Sequence, residues 1–242
     1  MCEHVQFFEE KMKTDSKRMQ FIAGRIPECS CLLDIGCDHG KLELLLTEKY
    51  PNIRIIASDI SPYALKKTEY VVKQNALEER VFCRCGDGLS VVDEDDGIEF
   101  VVIAGIGGYV IADILEKGLG RIAAVKELFL LPSTDVETLR RRLPGLGLRI
   151  KDEQTIEEQN RVYSLICVEH GCEEHTEEFD LKYGHYLLKR KDDLLKKRLH
   201  KHQKALQKAL EMISGTENAD RIAMIRQELS DTEKTLQYLE EV

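Results

Sequence analysis

No stretch of this chain is apolar for long enough to cross a bilayer. The longest uncharged run, residues 100–112, is rich in glycine and far shorter than the roughly 20 residues a spanning helix needs. Residues 1–17 are polar and charged with no apolar h-region, so no signal peptide is expected and the protein is expected in the cytoplasm, away from membranes. Positive charge is also in deficit: 35 Lys and Arg against 44 Asp and Glu leave a formal net charge of −9. A protein of that sign repels phosphates as a whole, so any nucleic-acid partner must meet a local basic face. Eight cysteines are present, but no C-x-x-C occurs. The pairs Cys29/Cys31 and Cys83/Cys85 lack a histidine at zinc-finger spacing, so no metal is expected. Without an export signal the thiols should stay reduced and pack as small hydrophobes.

With 242 residues the chain has room for one main domain of about 170 residues and an appendage. From residue 31 short apolar runs alternate with amphipathic stretches, the pattern of βαβ units that build a parallel sheet. Seven strands are predicted, at 31–35, 53–58, 80–85, 98–103, 128–131, 148–152 and 162–168. Helices are predicted at 41–49, 62–76, 108–117 and 136–143. An earlier helix, 16–26, carries Met19, Ile22, Ala23 and Ile26 on one face and ends at Pro27; it should cap the sheet or cover the cleft. The expected fold is α/β, with a seven-stranded Rossmann-like domain over 1–172 and an α-helical domain over 173–242.

After Gly171 no strand signal remains. Leu195, Leu199, His202, Leu206, Ala209 and Ile213 form a heptad stripe, and Ile222, Ile225, Leu229, Thr232, Leu236 and Leu239 form a second. Between them Gly215 breaks one helix and Thr216 can cap the next, so an antiparallel coiled-coil hairpin is expected. Over 189–208 nine bases (Lys189, Arg190, Lys191, Lys196, Lys197, Arg198, Lys201, Lys204, Lys208) face two acids, a local balance of +7. A solvated coiled-coil face would normally carry acids in near-equal number, so this stretch reads as a nucleic-acid-binding face.

The first strand runs into Asp34-Ile35-Gly36-Cys37-Asp38-His39-Gly40. Gly36 permits a tight turn and close approach of a ligand, and the next helix offers free N–H groups. A dinucleotide site wants G-x-G-x-x-G; here the glycines are four apart, and Asp34 and Asp38 would repel a pyrophosphate but suit a sulfonium with an amino group. Asp59, ending the second strand, can accept both ribose hydroxyls, with Ile60 beside it to pack on an adenine. The third strand ends in Gly86-Asp87-Gly88-Leu89, where Asp87 can accept from the adenine amino group. Acids and glycines after strands are common turn formers, but the ordered set Asp34/Gly36, Asp59, Asp87 selects S-adenosylmethionine. The fourth strand ends in Ile103-Ala104-Gly105-Ile106-Gly107-Gly108 without the Asn/Asp-Pro-Pro-aromatic clamp of exocyclic-amine methylases. Its glycines either floor a base pocket or pack a tight turn against the cofactor, so Ala104 and Gly105 join the predicted cofactor contacts.

The runs LLDIGCDHGKL, IASDISPYAL, GDGL, VVIAGIGGYVIADIL, RVYSLICVEHG and YGHYLL, followed by the basic hairpin, resemble the bacterial tRNA adenine-N1 methyltransferase family that modifies position twenty-two. The resemblance runs from Arg18 to the C-terminus. It implies a Rossmann-like domain, a coiled-coil domain and methyl transfer to N1 of an adenine in the tRNA D arm. The sequence departs from the family pattern at the rim of the base pocket: Lys41 and Glu43 replace Tyr and Pro, Ile106 replaces Met, and Leu131-Pro132-Ser133 replaces Gln-Pro-Asn. Asp38 matches the Asp of the family motif and is the candidate catalytic residue, with His39 placed to orient the base or meet a phosphate; alternatively Asp38 caps the following helix. A methyltransferase for another RNA or a small molecule, and a non-catalytic binder of S-adenosylmethionine or tRNA, are the competing readings. A monomer or weak dimer is expected.

Overall fold

The computed structural model describes residues 16–213 and 219–241. The expected interhelical turn at 214–218 lies outside them. Seven strands form one sheet in the order β3-β2-β1-β4-β5-β7-β6. They are β1 (Cys31–Ile35), β2 (Arg54–Asp59), β3 (Val81–Cys85), β4 (Phe100–Ala104), β5 (Glu127–Leu131), β6 (Leu148–Glu158) and β7 (Arg161–His170). The first five are parallel, and β7 runs against both neighbours. The helices are α1 (Lys17–Arg25), α2 (Lys41–Lys49), α3 (Pro62–Gln74), α4 (Gly108–Gly118), α5 (Val136–Arg142), α6 (Glu178–Tyr183), α7 (His185–Lys189), α8 (Asp193–Met212) and α9 (Ala219–Glu240).

β1 is buried at every position because helices cover both faces of the sheet, as parallel strands require. Alternate residues feed two cores. Leu33, Ile35, Val101 and Ile103 pack against Ile111 and Leu115 of α4, while Leu32, Val102 and Phe129 pack against Ile22 of α1, Leu42 and Leu46 of α2, and Leu65 of α3. Side-chain caps start three helices: Ser16 accepts from the Met19 N–H, Ser61 from the Ala64 N–H, with Pro62 preset in the first turn of α3, and Asp192 from the Leu195 N–H at the start of α8. The last carbonyls of α1 are taken up by α2, whose Lys49 donates to Ala23 at 2.7 Å, and by Tyr50, which donates to Ile26 at 2.8 Å.

Two expectations fell short. β6 continues six residues past Asp152 and β7 begins at Arg161, joined by Gln159 and Asn160, both at positive φ. That is a two-residue hairpin of the primed kind. Its outer half, Thr155 to Glu158, is too polar to show a strand period. The second is the junction of the arm with the sheet, made by two short helices meeting at Gly184 (φ +97°). A Cβ there would stand 2.5 Å from Glu153 Oε2. Glu153 is fully buried in an ion pair with Arg140 (2.6 Å), and Arg140 donates to the Lys182 carbonyl at 3.2 Å. A larger residue would break this seat.

The arm itself is the expected antiparallel helix pair, with His202 facing Glu228 at 3.3 Å and Gln203 facing Glu233 at 3.3 Å. Among the described residues only its base is a core: Leu195, Leu199, Leu236 and Leu239 close over Tyr183, Leu187 and Leu188. Further out the stripe residues Leu206, Ala209, Ile222 and Ile225 are half-exposed.

Candidate functional site

The carboxyl ends of β1 and β4 adjoin where the strand order reverses, the crevice at which open α/β sheets bind ligands. A cleft of about 420 Å³ opens there, walled by Asp34, Gly36, Asp38, His39 and Asp59 on one side and by Ala104, Gly105 and Ile106 on the other. Gly36, at φ +86°, turns the chain so that its own N–H and that of Cys37 both donate to the Ser58 carbonyl (2.8 and 3.1 Å). Ser58 in turn donates through its hydroxyl to the Asp34 carbonyl at 3.1 Å. The turn is thus tied to β2, and Asp34 and Asp59 are held side by side. Asp59 Oδ1 accepts from the Ser61 N–H at 2.8 Å. Asp34 is 5% exposed, and burial pushes its carboxyl up to about 7.

Asp38 sits at the mouth, half-exposed and at φ +35°, a conformation that acids and Asn tolerate better than other residues. Its carboxylate is paired with His39 Nδ1 and with Lys67 of α3 at 3.2 Å. It does not cap α2. The N-cap is Gly40, which makes no side-chain capping bond. α1 closes the far wall, where Ser16, Arg18 and Met19 line the cleft. Arg18 is fixed by Glu158 at the end of β6 (2.5 Å) and lies over the Tyr163 ring at 4.5 Å.

Of the predicted cofactor contacts, Asp34, Gly36, Asp59, Ala104 and Gly105 line the cleft, whereas Ile60, Gly86, Asp87, Gly88 and Leu89 do not. Ile60 and Asp87 are exposed beside it. Leu89 is a core residue under α4. Gly86 and Gly88 are explained by packing, since a Cβ would meet Val91 at 2.5 Å and Ile114 at 2.8 Å. Gly108 likewise packs on the Asp135 carbonyl, leaving Gly105 and Ile106 to face the cleft. Sequence reasoning missed Arg18, Met19 and Leu42 as wall residues. The apolar stripe of the first helix was the available signal for Met19; none marked Arg18, which depends on the hairpin.

The nine bases of the arm fare unequally. Arg198 is turned inward: it donates to Ser164 Oγ at 3.1 Å, and burial, with Arg140 nearby, lowers its guanidinium to about 10. It is therefore withdrawn from the basic face. Arg190 pairs with Asp152 (2.6 Å), Lys196 with Asp193 (3.2 Å) and Lys197 with Glu157 (2.7 Å), while Lys191 donates to the Glu241 carbonyl and Lys201 reaches the Asn160 carbonyl at 3.5 Å. Lys189, Lys204 and Lys208 are exposed with no ion pair among the described residues. Lys197 and Lys201 both reach the β6–β7 hairpin, so the face flanks the cleft side of the sheet.

A second cluster joins His175, Asp180 and His185 beside the junction of the arm. The two imidazoles are stacked 3.4 Å apart and nearly parallel, so their in-plane lone pairs do not converge on one ion.

A sheet of this order, with the reversed seventh strand and an acidic cleft at its switch point, defines a Rossmann-like methyltransferase domain. Residues 32–234 match the family model described as tRNA (adenine(22)-N(1))-methyltransferase, and the chain belongs to that family. It is 27% identical over 221 residues to the Bacillus subtilis tRNA (adenine(22)-N(1))-methyltransferase, spanning 89% of this chain and 92% of that one. The crystal structure of Streptococcus pneumoniae Sp1610 superposes with a TM-score of 0.86 at 29% identity, covering 92% of this chain and all of that one. A second structure of Sp1610, in complex with S-adenosyl-L-methionine, gives 0.83 at 28% identity and the same coverage.

Proposed function

We propose that this chain transfers a methyl group from S-adenosylmethionine to N1 of adenine 22 in tRNA, with Asp34 and Asp59 holding the cofactor, Asp38 acting on the base and the arm receiving the tRNA. The observation that carries the reading is the uncompensated acid of the cleft. Asp34 is buried with no lysine or arginine bonded to it among the described residues, an arrangement that a cationic ligand completes. S-adenosylmethionine supplies such a cation together with an electrophilic methyl. Asp59 keeps one carboxylate oxygen free of the Ser61 N–H for a ribose diol. Family membership and the named relatives support the same cofactor and target.

Adenine N1 carries a lone pair, so no proton has to leave before it attacks, and no strong general base is required. What the protein must do is orient the ring and stabilise positive charge growing on it. The Asp38 carboxylate, steadied by Lys67 and His39, stands at the cleft mouth where an exocyclic amino group can donate to it. Lys189, Lys204 and Lys208 can neutralise phosphates at once, and the exposed pairs of Arg190, Lys196 and Lys197 can exchange a carboxylate for a phosphate at small cost. Cleft and arm belong to one chain, so the reading needs no partner copy. No helix among the described residues is long and apolar enough to cross a membrane, and we place the protein with its tRNA in the cytoplasm. Incubation with unmodified tRNA and labelled cofactor should give one methyl at N1 of adenine 22 by mass spectrometry. A methyl elsewhere, or equal incorporation into tRNA with guanine at that position, would overturn the target.

A further inference from the structure

On the inner face of α2, among Leu42, Leu46 and Thr47, stands Glu43, 1% exposed. Neither of its carboxyl oxygens meets a hydrogen-bond donor among the described residues. What it does meet is the carboxyl of Asp34, which β1 presents on that same face of the sheet. Two carboxylates only accept, so the pair can bond only with a proton between them. Burial and the adjacent Asp34 charge push Glu43 well above the usual carboxylate range, so it is the member of the pair that holds a proton it can offer to Asp34. Asp34 is raised less, burial being partly offset by that donated bond and reinforced by the charge of Asp59. The groups facing the pair are Asp59 from β2, the Cys37 thiol bonded to Thr68 of α3 (3.4 Å), and Cys83 from β3; Asp38, His39, Lys41 and Arg18 share the cleft.

We propose that Asp34 and Glu43 share protons so as to sense the charge of the bound cofactor, releasing one proton when the cationic sulfonium form binds and recovering it once the sulfur is a neutral thioether. The inference rests on the reading of the cleft given above. Asp34 makes the contact, and Glu43 is a positioning residue acting through it. The protons balance without any further reagent. The doubly protonated pair loses one to solvent as the cation enters; methyl transfer moves the positive charge to the purine; the pair then takes a proton back from solvent. The product is thereby held less firmly than the cofactor, which favours its release.

Calorimetric titration of S-adenosylmethionine and S-adenosylhomocysteine at pH 6, 7 and 8, in buffers of differing ionisation enthalpy, tests this. The ratio of the two affinities should rise about three- to tenfold from pH 6 to pH 8, with net proton release on binding the sulfonium form near pH 7. In Asp34→Asn the titrating carboxyl is gone, so the ratio should stay flat; Glu43→Gln keeps a neutral donor beside Asp34 and should keep the rise, whereas Glu43→Leu removes that donor and should move the rise to higher pH. The ligands' own titrations are common to all these proteins and drop out. His39→Gln should keep the wild-type rise. A wild-type ratio that does not change with pH overturns the proposal by itself, whether or not a variant folds, as does a rise that survives in Asp34→Asn, stays at the wild-type pH in Glu43→Leu, or vanishes in His39→Gln. Asp59→Ala tests the cleft separately: unchanged affinity for both ligands there would overturn the cofactor site itself.

Discussion

The cleft and the arm handle charge in opposite ways. Asp34 and Glu43 are buried with no bonded cation among the described residues, whereas Arg190, Lys196 and Lys197 are spread over the surface and lean on acids of the same chain. In a low-dielectric wall a charge without a partner is costly and its interaction with a ligand is strong; at the surface, pairs contribute up to about 1 kcal/mol and are screened by salt. On the proposed reading the cleft selects one small cation, and the arm offers exchangeable contacts. One depends on pH, the other on ionic strength.

The largest effect that would sharpen this comparison belongs to the cleft mouth. Asp38→Asn keeps the shape and leaves the Gly40 cap of α2 untouched but removes the charge, so kcat on tRNA should fall by about 10²-fold while calorimetric affinity for the cofactor stays within about twofold. Wild-type turnover would show that the charge of Asp38 does not act on the base. Next comes the arm. Replacing Lys201, Lys204 and Lys208 together by Gln should weaken tRNA binding and flatten the plot of log affinity against log salt by about 0.7–0.9 for each phosphate that is no longer neutralised. An unchanged slope in filter binding would assign those lysines to some other task. The smallest effect is on stability. The Asp34 carboxyl is raised from 3.8 to about 7 in the folded ligand-free protein, so its contribution is fully present below pH 3.8 and is lost as pH rises through about 7. Asp34→Asn should therefore lessen the drop in Tm between pH 5 and pH 8 by several degrees, equivalent to about 2–3 kcal/mol. An identical drop in scanning calorimetry would mean that another group carries the ionisation.

Much of this was legible in the sequence, for reasons that vary with position. The buried parallel strands appear as apolar runs because both faces are covered, and the acids at the ends of β1 and β2 follow from strand order. The outer half of β6 is hidden because only Ile156 of Thr155 to Glu158 packs on the core, while its neighbours meet Asp192, Lys197 and Arg18. Arg198 shows why a charge count misleads: it lies three residues after Leu195 and four before His202, on the flank of the heptad stripe, so helical geometry turns it towards β7. Glu43 follows the same rule. It lies one residue from Leu42 and three from Leu46, which puts it on the buried face. Leu89 illustrates the converse, a core residue whose place in a turn motif resembled a ligand contact.

At the tip of the β6–β7 hairpin, adjacent residues serve different neighbours: Glu157 reaches Lys197 of the arm and Glu158 reaches Arg18 of the cleft wall. Successive strand residues point to opposite faces, so the assignment is one of odd and even. Deleting a single residue of β6 between the register shift at Ile150/Asp152 and the hairpin tip would exchange the two carboxylates and detach both neighbours at once. The parity of a short, polar ribbon therefore sets where the basic face of the arm stands in relation to the cleft.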